Sequence, residues 1–283
     1  MLGSTTALRS DSGRSETHPP EQALKSLVRT IGGRLLRTTG LIHAGLRQTG
    51  VVVAFHRVND RSADDPITKS PQDYRSFCRF FKQHFDVVPL AAFLARLERR
   101  ESVEGLLVIT HDDGYLDNLE EAAPILRELQ LPATFFVTTD FIESQTVPHW
   151  DEALATRHPW MSWDQVRQLR DMGFEIGSHT RTHADLGLTA TEQTAQELRD
   201  SRERLTRELG ETPELFAYPY GGLANMTTAN REVVRQSGYR SCLSCFGGLV
   251  PDGADPFDLA RVPISAWYRN PDQLAFELGL ARA

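Results

Sequence analysis

Beyond residue 50 the chain alternates short, uninterrupted apolar runs with longer amphipathic stretches, and this alternation is the strongest constraint on its fold. Residues 51–55, 106–110, 133–138, 173–178, 215–220, 239–245 and 259–264 read as strands. Helical periodicity occupies residues 91–100, 117–129, 162–172, 189–209, 227–236 and 271–280. Ser162 with Gln165, and Thr189 with Glu192, have the spacing of a capping box, while Gly173 and Gly210 mark helix ends. Strands apolar on both faces suit a sheet covered by helices on both sides, so repeated strand–helix units predict a parallel sheet and an α/β fold. Pattern alone leaves open whether that sheet closes into a barrel or stays doubly wound. A chain of 283 residues, 40% of them hydrophobic, suits one α/β barrel domain, which needs ~250 residues.

Two of the strand runs end in chemistry. Asp112-Asp113-Gly114 closes the run at 106–110, and His179-Thr180-Arg181-Thr182-His183 follows the run at 173–178. Asp-Asp-Gly by itself suits a solvated turn, and two histidines four apart suit a surface. Both pairs lie at the carboxyl ends of strands, however, where α/β folds place their ligands. One carboxylate and two neutral imidazoles bind a divalent transition metal, and the second carboxylate is then free to act as a base. The same ligand set serves non-heme iron oxygenases, although the adjacent second carboxylate has a clear use only in hydrolysis.

These segments resemble the motifs of the polysaccharide deacetylases, carbohydrate esterase family four. Thr110-His111-Asp112-Asp113-Gly114 is similar to the family's first motif and residues 179–183 to its second. Residues 131–137 resemble the strand after the first motif, and Phe216-Ala217-Tyr218-Pro219-Tyr220-Gly221 the third motif; the likeness runs from about Val51 to about Ser265. The resemblance implies a distorted (β/α) barrel with fewer than eight regular units. It also implies a hydrolase of linear amides, which removes N-acetyl groups from amino-sugar residues of a polysaccharide or its lipid-linked precursor. Asp113, His179 and His183 would then hold one divalent ion, zinc first, with cobalt, nickel or iron as alternatives. Asp112 would be the base, and the backbone N–H at Tyr220 would face the oxyanion.

Three positions depart from that pattern. His111 replaces the family's usual Phe and, by strand alternation, is expected to face away from Asp112 as a hydrogen-bonded wall residue. Ala217 stands where an Arg commonly orients the base. No histidine follows His183, so the family's final Leu-x-His, whose imidazole protonates the leaving amine, is missing. His56, at the end of the first strand run, is the candidate replacement, with a structural role equally open. The missing residues motivate a second reading, a carbohydrate-binding barrel without turnover.

Trp150, Trp160, Trp163, Tyr218, Tyr220, Trp267 and Tyr268 are candidates for stacking on sugar rings, although core packing is the default for most, and Trp163 falls in a helix's first turn. The net charge of −7 gives no reason to expect a nucleic acid partner. Residues 1–50 hold seven Lys/Arg against three Asp/Glu, a net +4, which leaves −11 for residues 51–283. Within this arm, polar at first and then an amphipathic helix over residues 22–48, Leu24, Leu27, Val28, Ile31, Leu35 and Leu36 fall near one face. The helix is expected either to pack on the barrel's flank or to touch an anionic membrane. The catalytic domain is expected to span 51–283. Lys25, Arg29, Arg34 and Arg37 interrupt the first apolar stretch, so neither an ordinary signal peptide nor a membrane span is read, and a cytoplasmic or membrane-peripheral location is expected. Cys78, Cys242 and Cys245 are odd in number, and Cys242-Leu-Ser-Cys245 reads as strand packing rather than a redox or metal pair.

Overall fold

The computed structural model describes residues 19–61, 65–265 and 268–281. In chain order the elements are α1 (Pro19–Thr38), β1 (Thr49–Phe55), β2 (Arg57–Val58), β3 (Thr68–Lys69), α2 (Pro71–His84), β4 (Asp86–Val87), α3 (Leu90–Glu98) and β5 (Leu106–His111). There follow α4 (Ala123–Leu129), β6 (Thr134–Val137), α5 (His149–Ala153), α6 (Trp163–Asp171), β7 (Glu175–Ser178) and α7 (Thr191–Leu209). The last are α8 (Thr228–Gln236), β8 (Leu243–Gly247), β9 (Leu249–Pro251), β10 (Leu259–Pro263) and α9 (Pro271–Leu280).

Strands β7, β6, β5, β1, β10 and β8 pair side by side in that order, all parallel. Two isolated parallel bridges, Ser178 with Phe216 and Ala217 with Leu243, close the row on itself. The result is the expected distorted barrel, six strands and one seam segment in place of eight regular units. The run at 215–220 is shorter than its apolar pattern suggests, because Pro219 has no N–H for a ladder and the chain turns at Tyr220 and Gly221, both with φ of 60°. The run at 239–245 likewise pairs only from Leu243, since Arg240 N–H and Cys242 N–H bond to the Glu214 and Pro256 carbonyls.

Strand alternation sorts the core into two parts. Val52, Val108, Phe136, Leu215, Ala217, Leu243 and Leu259 share an inner cluster, joined by Phe93, Leu94 and Leu97 of α3. The outward residues Val51, Val53, Phe55, Leu107, Ile109, Phe135 and Val137 pack under α2, α4, α6 and α9. The same parity governs the rim. His111 points outward, where it is fully buried between Phe55 and Phe135 and its Nε2 lies 2.8 Å from the Tyr74 hydroxyl. Burial pushes its pKa down to about 3, so this imidazole is neutral.

Capping follows the local sequence in one of the two expected places. Ser162 and Gln165 form a capping box at α6. At α7, Ala190 is the N-cap and no side chain caps the helix, because the Thr189 hydroxyl donates to the Asp185 carbonyl instead. Gly210 ends α7 in the left-handed conformation.

Helix α1 packs on α9 through its small and polar side. Gln273 Nε2 donates to the hydroxyls of Ser26 (2.8 Å) and Thr30 (3.2 Å), Arg29 pairs with Glu277 at 2.9 Å, and Arg37 pairs with Asp272 at 3.1 Å. At the crossing a Cβ on Gly33 would lie 1.6 Å from the Asp272 carbonyl oxygen, so only glycine permits this approach. Leu36 turns to this side and meets Gly279, apart from the other leucines of the arm. No helix among the described residues is long and apolar enough to cross a membrane.

Candidate active site

The carboxyl ends of β5 and β7 bring the two sequence pairs together. Asp112 N–H bonds to the Phe55 carbonyl at 2.9 Å, after which the chain turns sharply at Asp113 (φ 76°) and Gly114 (φ 98°). Across β6, Thr180 (φ 65°) and His183 (φ 62°) also hold a left-handed backbone, which L-residues adopt only when their surroundings enforce it. Glu197 of α7 supplies part of that enforcement. Its carboxylate accepts the N–H groups of Arg181 (3.1 Å) and Thr182 (2.9 Å) and the Thr182 hydroxyl (3.0 Å), so the loop between the histidines is pinned from below.

Asp113 Oδ1 lies 3.4 Å from His179 Nε2 and 3.3 Å from His183 Nε2, with all three side chains buried. His179 Nδ1 sits 2.8 Å from the Ala217 carbonyl, which can only accept, so Nδ1 carries the proton and Nε2 presents its lone pair. Asp113 Oδ1 is buried with no hydrogen-bond partner among the described residues, the contacts to the imidazoles being too long. Donors held tetrahedrally at ~2.0–2.1 Å from zinc stand ~3.3 Å apart, which matches these separations. An unpartnered oxygen, a fixed tautomer and this spacing fit a divalent ion.

Asp112 shares the inward parity of Val108 and Thr110, and it meets a residue that the sequence motifs do not reveal. Arg261 Nη1 donates to Asp112 Oδ1 at 2.8 Å and Nη2 to Oδ2 at 2.7 Å, a bidentate pair at 0–1% exposure. Nη1 also reaches Thr110 Oγ1 at 2.9 Å, and Nε donates to the Ser244 carbonyl. Strand β1, which separates β5 from β10, presents Ala54 opposite Thr110 and so leaves room for the guanidinium. Burial raises the Asp112 pKa, but the Arg261 charge outweighs it and keeps the carboxyl below its ordinary value. A guanidinium thus reaches Asp112 from β10, although Ala217 stands where an arginine was expected. The signal was present in Leu259-Ala260-Arg261, a charge inside an apolar strand at the parity of an inward leucine.

His56 faces the same cavity, its ring nitrogen within 4.8 Å of ligand atoms on Asp112 and Cys245. Its carbonyl is held by Asn118 Nδ2 at 2.7 Å. Tyr220 is 45% exposed at the rim, its ring 4.8 Å from that of His183. Trp150 flanks His183 from α5, also at 4.8 Å, and its Nε1 donates to the Tyr115 hydroxyl at 2.9 Å. These residues enclose a cavity of about 450 Å³, floored by Asp112, Asp113 and the histidines and walled by Pro66, Ile67 and Leu154.

The other aromatic candidates divide. Trp160 stacks on Tyr115 at 4.2 Å, Trp163 is buried in the first turn of α6, and Tyr268 lies under Arg29; Trp267 is outside the described residues. Tyr218 is buried with its hydroxyl on Asn230 Oδ1 at 3.0 Å. All three cysteines are free thiols. Cys242 points into the core toward the Phe257 carbonyl, whereas Cys245 lines the cavity, where burial pushes its pKa up to about 11.

The family model for polysaccharide deacetylase matches residues 99–242, half of the chain. A chitin deacetylase of Colletotrichum lindemuthianum is 29% identical over 41% of this chain and 42% of its own length. The poly-beta-1,6-N-acetyl-D-glucosamine N-deacetylase of Escherichia coli K12 is 24% identical over 80% of this chain and 38% of its own. The chain therefore spans well under half the length of either relative. Among solved structures, IcaB from Ammonifex degensii superposes with a TM-score of 0.68 over 82% of this chain and 97% of that one, at 22% identity. The first two motifs lie at the carboxyl ends of β5 and β7, on either side of β6 at one barrel rim, and the chain belongs to the polysaccharide deacetylase family.

Proposed function

We propose that this protein is a hydrolase of linear amides that removes N-acetyl groups from amino-sugar residues of a polysaccharide or its lipid-linked precursor. The observation that carries the reading is the pairing of Asp112 with Arg261 beside the Asp113, His179 and His183 donors. A divalent ion bound there supplies Lewis acidity to the acyl carbonyl and lowers the pKa of a coordinated water. Asp112, which lines the cavity, accepts the proton as water attacks, and its pairing with Arg261 keeps it ionised and aimed. The Tyr220 backbone N–H serves as donor to the oxyanion, in a segment that turns at Tyr220 and Gly221. When the carbon–nitrogen bond breaks, His56 gives a proton to the departing amine, which leaves acetate and a free amino sugar. Trp150 and Tyr220 offer the faces against which a sugar ring rests.

Ala217 no longer favours a carbohydrate-binding barrel without turnover, since Arg261 serves Asp112. The test is acetate release from N-acetylglucosamine oligomers of β-1,4 and β-1,6 linkage, with metal removed by a chelator and zinc, cobalt, nickel or iron restored. Release that follows metal content supports the reading. Tight binding of the oligomers without acetate would establish the binding-only alternative.

A further inference from the structure

Helix α1 is amphipathic in the inverse sense. Its inward side is small and polar, with Ser26, Thr30, Gly33 and Arg37 against α9, while Leu24, Leu27, Val28, Ile31 and Leu35 are between 52% and 61% exposed. With 3.6 residues per turn these five fall on a single stripe opposite the docked side. Contiguous apolar surface rimmed by polar groups marks an interaction site. Exposed Lys25 and Arg34 border the stripe on its two sides. On the docked side, Asp272 and Glu277 of α9 pair with Arg37 and Arg29.

We infer that α1 is a docking surface for an anionic lipid bilayer and holds the barrel at the membrane with the helix lying in the interface. The charge pattern selects this occupant. A second copy packed stripe to stripe would bring Lys25 and Arg34 against their own kind, whereas acidic headgroups complement both borders while the long side chains extend to them. The arm is also basic, +4, in a chain whose remainder carries −11. The inference stands whether or not the cavity proves catalytic.

The full-length chain is to be sedimented with phosphatidylcholine vesicles with and without phosphatidylglycerol, at low and high salt. Binding is expected with the anionic vesicles and is expected to weaken as salt rises. Leu27→Ser with Ile31→Ser should reduce the partition at least ~10-fold, because both side chains enter the apolar layer. Its thermal midpoint should stay unchanged, since neither side chain is buried in the protein. Lys25→Glu with Arg34→Glu should remove the preference for phosphatidylglycerol and provides a second readout that leaves the apolar stripe intact. Failure of the wild-type chain to sediment with anionic vesicles would overturn the inference. So would a dimer in analytical ultracentrifugation that both paired variants dissociate, which would assign the stripe to a second copy.

Discussion

Two arginines lie at zero exposure on neighbouring parts of the barrel rim, and they are balanced differently. Arg57 sits between two carboxylates, Asp65 and Asp151, and its guanidinium lies 4.8 Å from the Tyr115 ring. Arg261 has one carboxylate, Asp112, and completes its bonding with the neutral oxygens of Thr110 and Ser244. The first cluster borders the same cavity through Arg57 and Asp65, but its carboxylates are taken up by the guanidinium, Thr68, the Ile67 N–H and the Tyr115 hydroxyl, and it joins the segment after β1 to α5. The second leaves Asp112 accessible to the cavity. A buried guanidinium shared between two carboxylates acts as a clasp, whereas one with a single carboxylate, set beside the Asp113, His179 and His183 donors, can serve chemistry.

The largest effect that separates the two is expected in stability. Arg57→Met leaves two buried carboxylates without their cation and should cost ~3–5 kcal/mol. Restoring neutrality with Asp65→Asn and Asp151→Asn in the same chain should recover much of that loss in a denaturant titration. At low temperature, where the Arg57→Met chain stays folded, metal content should be unchanged. If Arg57→Met instead unfolds at the wild-type midpoint, the clasp is not structural.

Next in size is the effect on rate at the other arginine. Asp112→Asn should retain metal and lose at least ~100-fold in acetate release, the scale of a positioned base. Metal lost with activity kept would exchange the roles of Asp112 and Asp113. Arg261→Met should slow turnover comparably and also shift its pH dependence. Arg261 holds the Asp112 carboxyl below its ordinary value, so without it burial raises that pKa and the acid limb of kcat/KM moves to higher pH. An acid limb that stays in place would detach Arg261 from the base.

The smallest effect concerns His111, where burial outweighs the pull of the Asp112 charge. The folded state refuses a proton down to about pH 3, while the unfolded chain takes one up near 6.5, so wild-type stability falls as pH falls through that window. His111→Phe should lose ~1 kcal/mol at neutral pH with the Tyr74 contact, and should then decline less on acidification. Equal slopes of stability against pH would show that this imidazole does not contribute to acid sensitivity.

Much of the site was legible because its parts are local. Two carboxylates in sequence and two histidines four apart declare themselves by spacing, and parity at His111 correctly turned it away from Asp112. Arg261 was not legible in this way, since its bond to Asp112 spans 149 positions and depends on which strands become neighbours. Helix α2 also escaped, although Ser70 followed by Pro71 is a helix-start signal, because Phe77, Phe80 and Phe81 dilute the helical pattern with β-favouring aromatics. The arm's periodicity was legible. Its docked face was not, because Gly33 permits a backbone approach that outweighs the pull of the leucines toward a core.

The seam at residues 215–218 has a consequence for how the molecule responds to metal. It closes the barrel by two single bridges where the other walls have ladders, and it carries the Ala217 carbonyl that fixes the His179 tautomer. Breathing of the barrel at its thinnest wall would therefore tilt an imidazole, and an ion that grips that imidazole restrains the breathing. By linkage the two processes share one free energy. Amide exchange at Ala217 and Leu243 should slow when metal is added, so that the ion acts as a rivet across the join as well as a reagent.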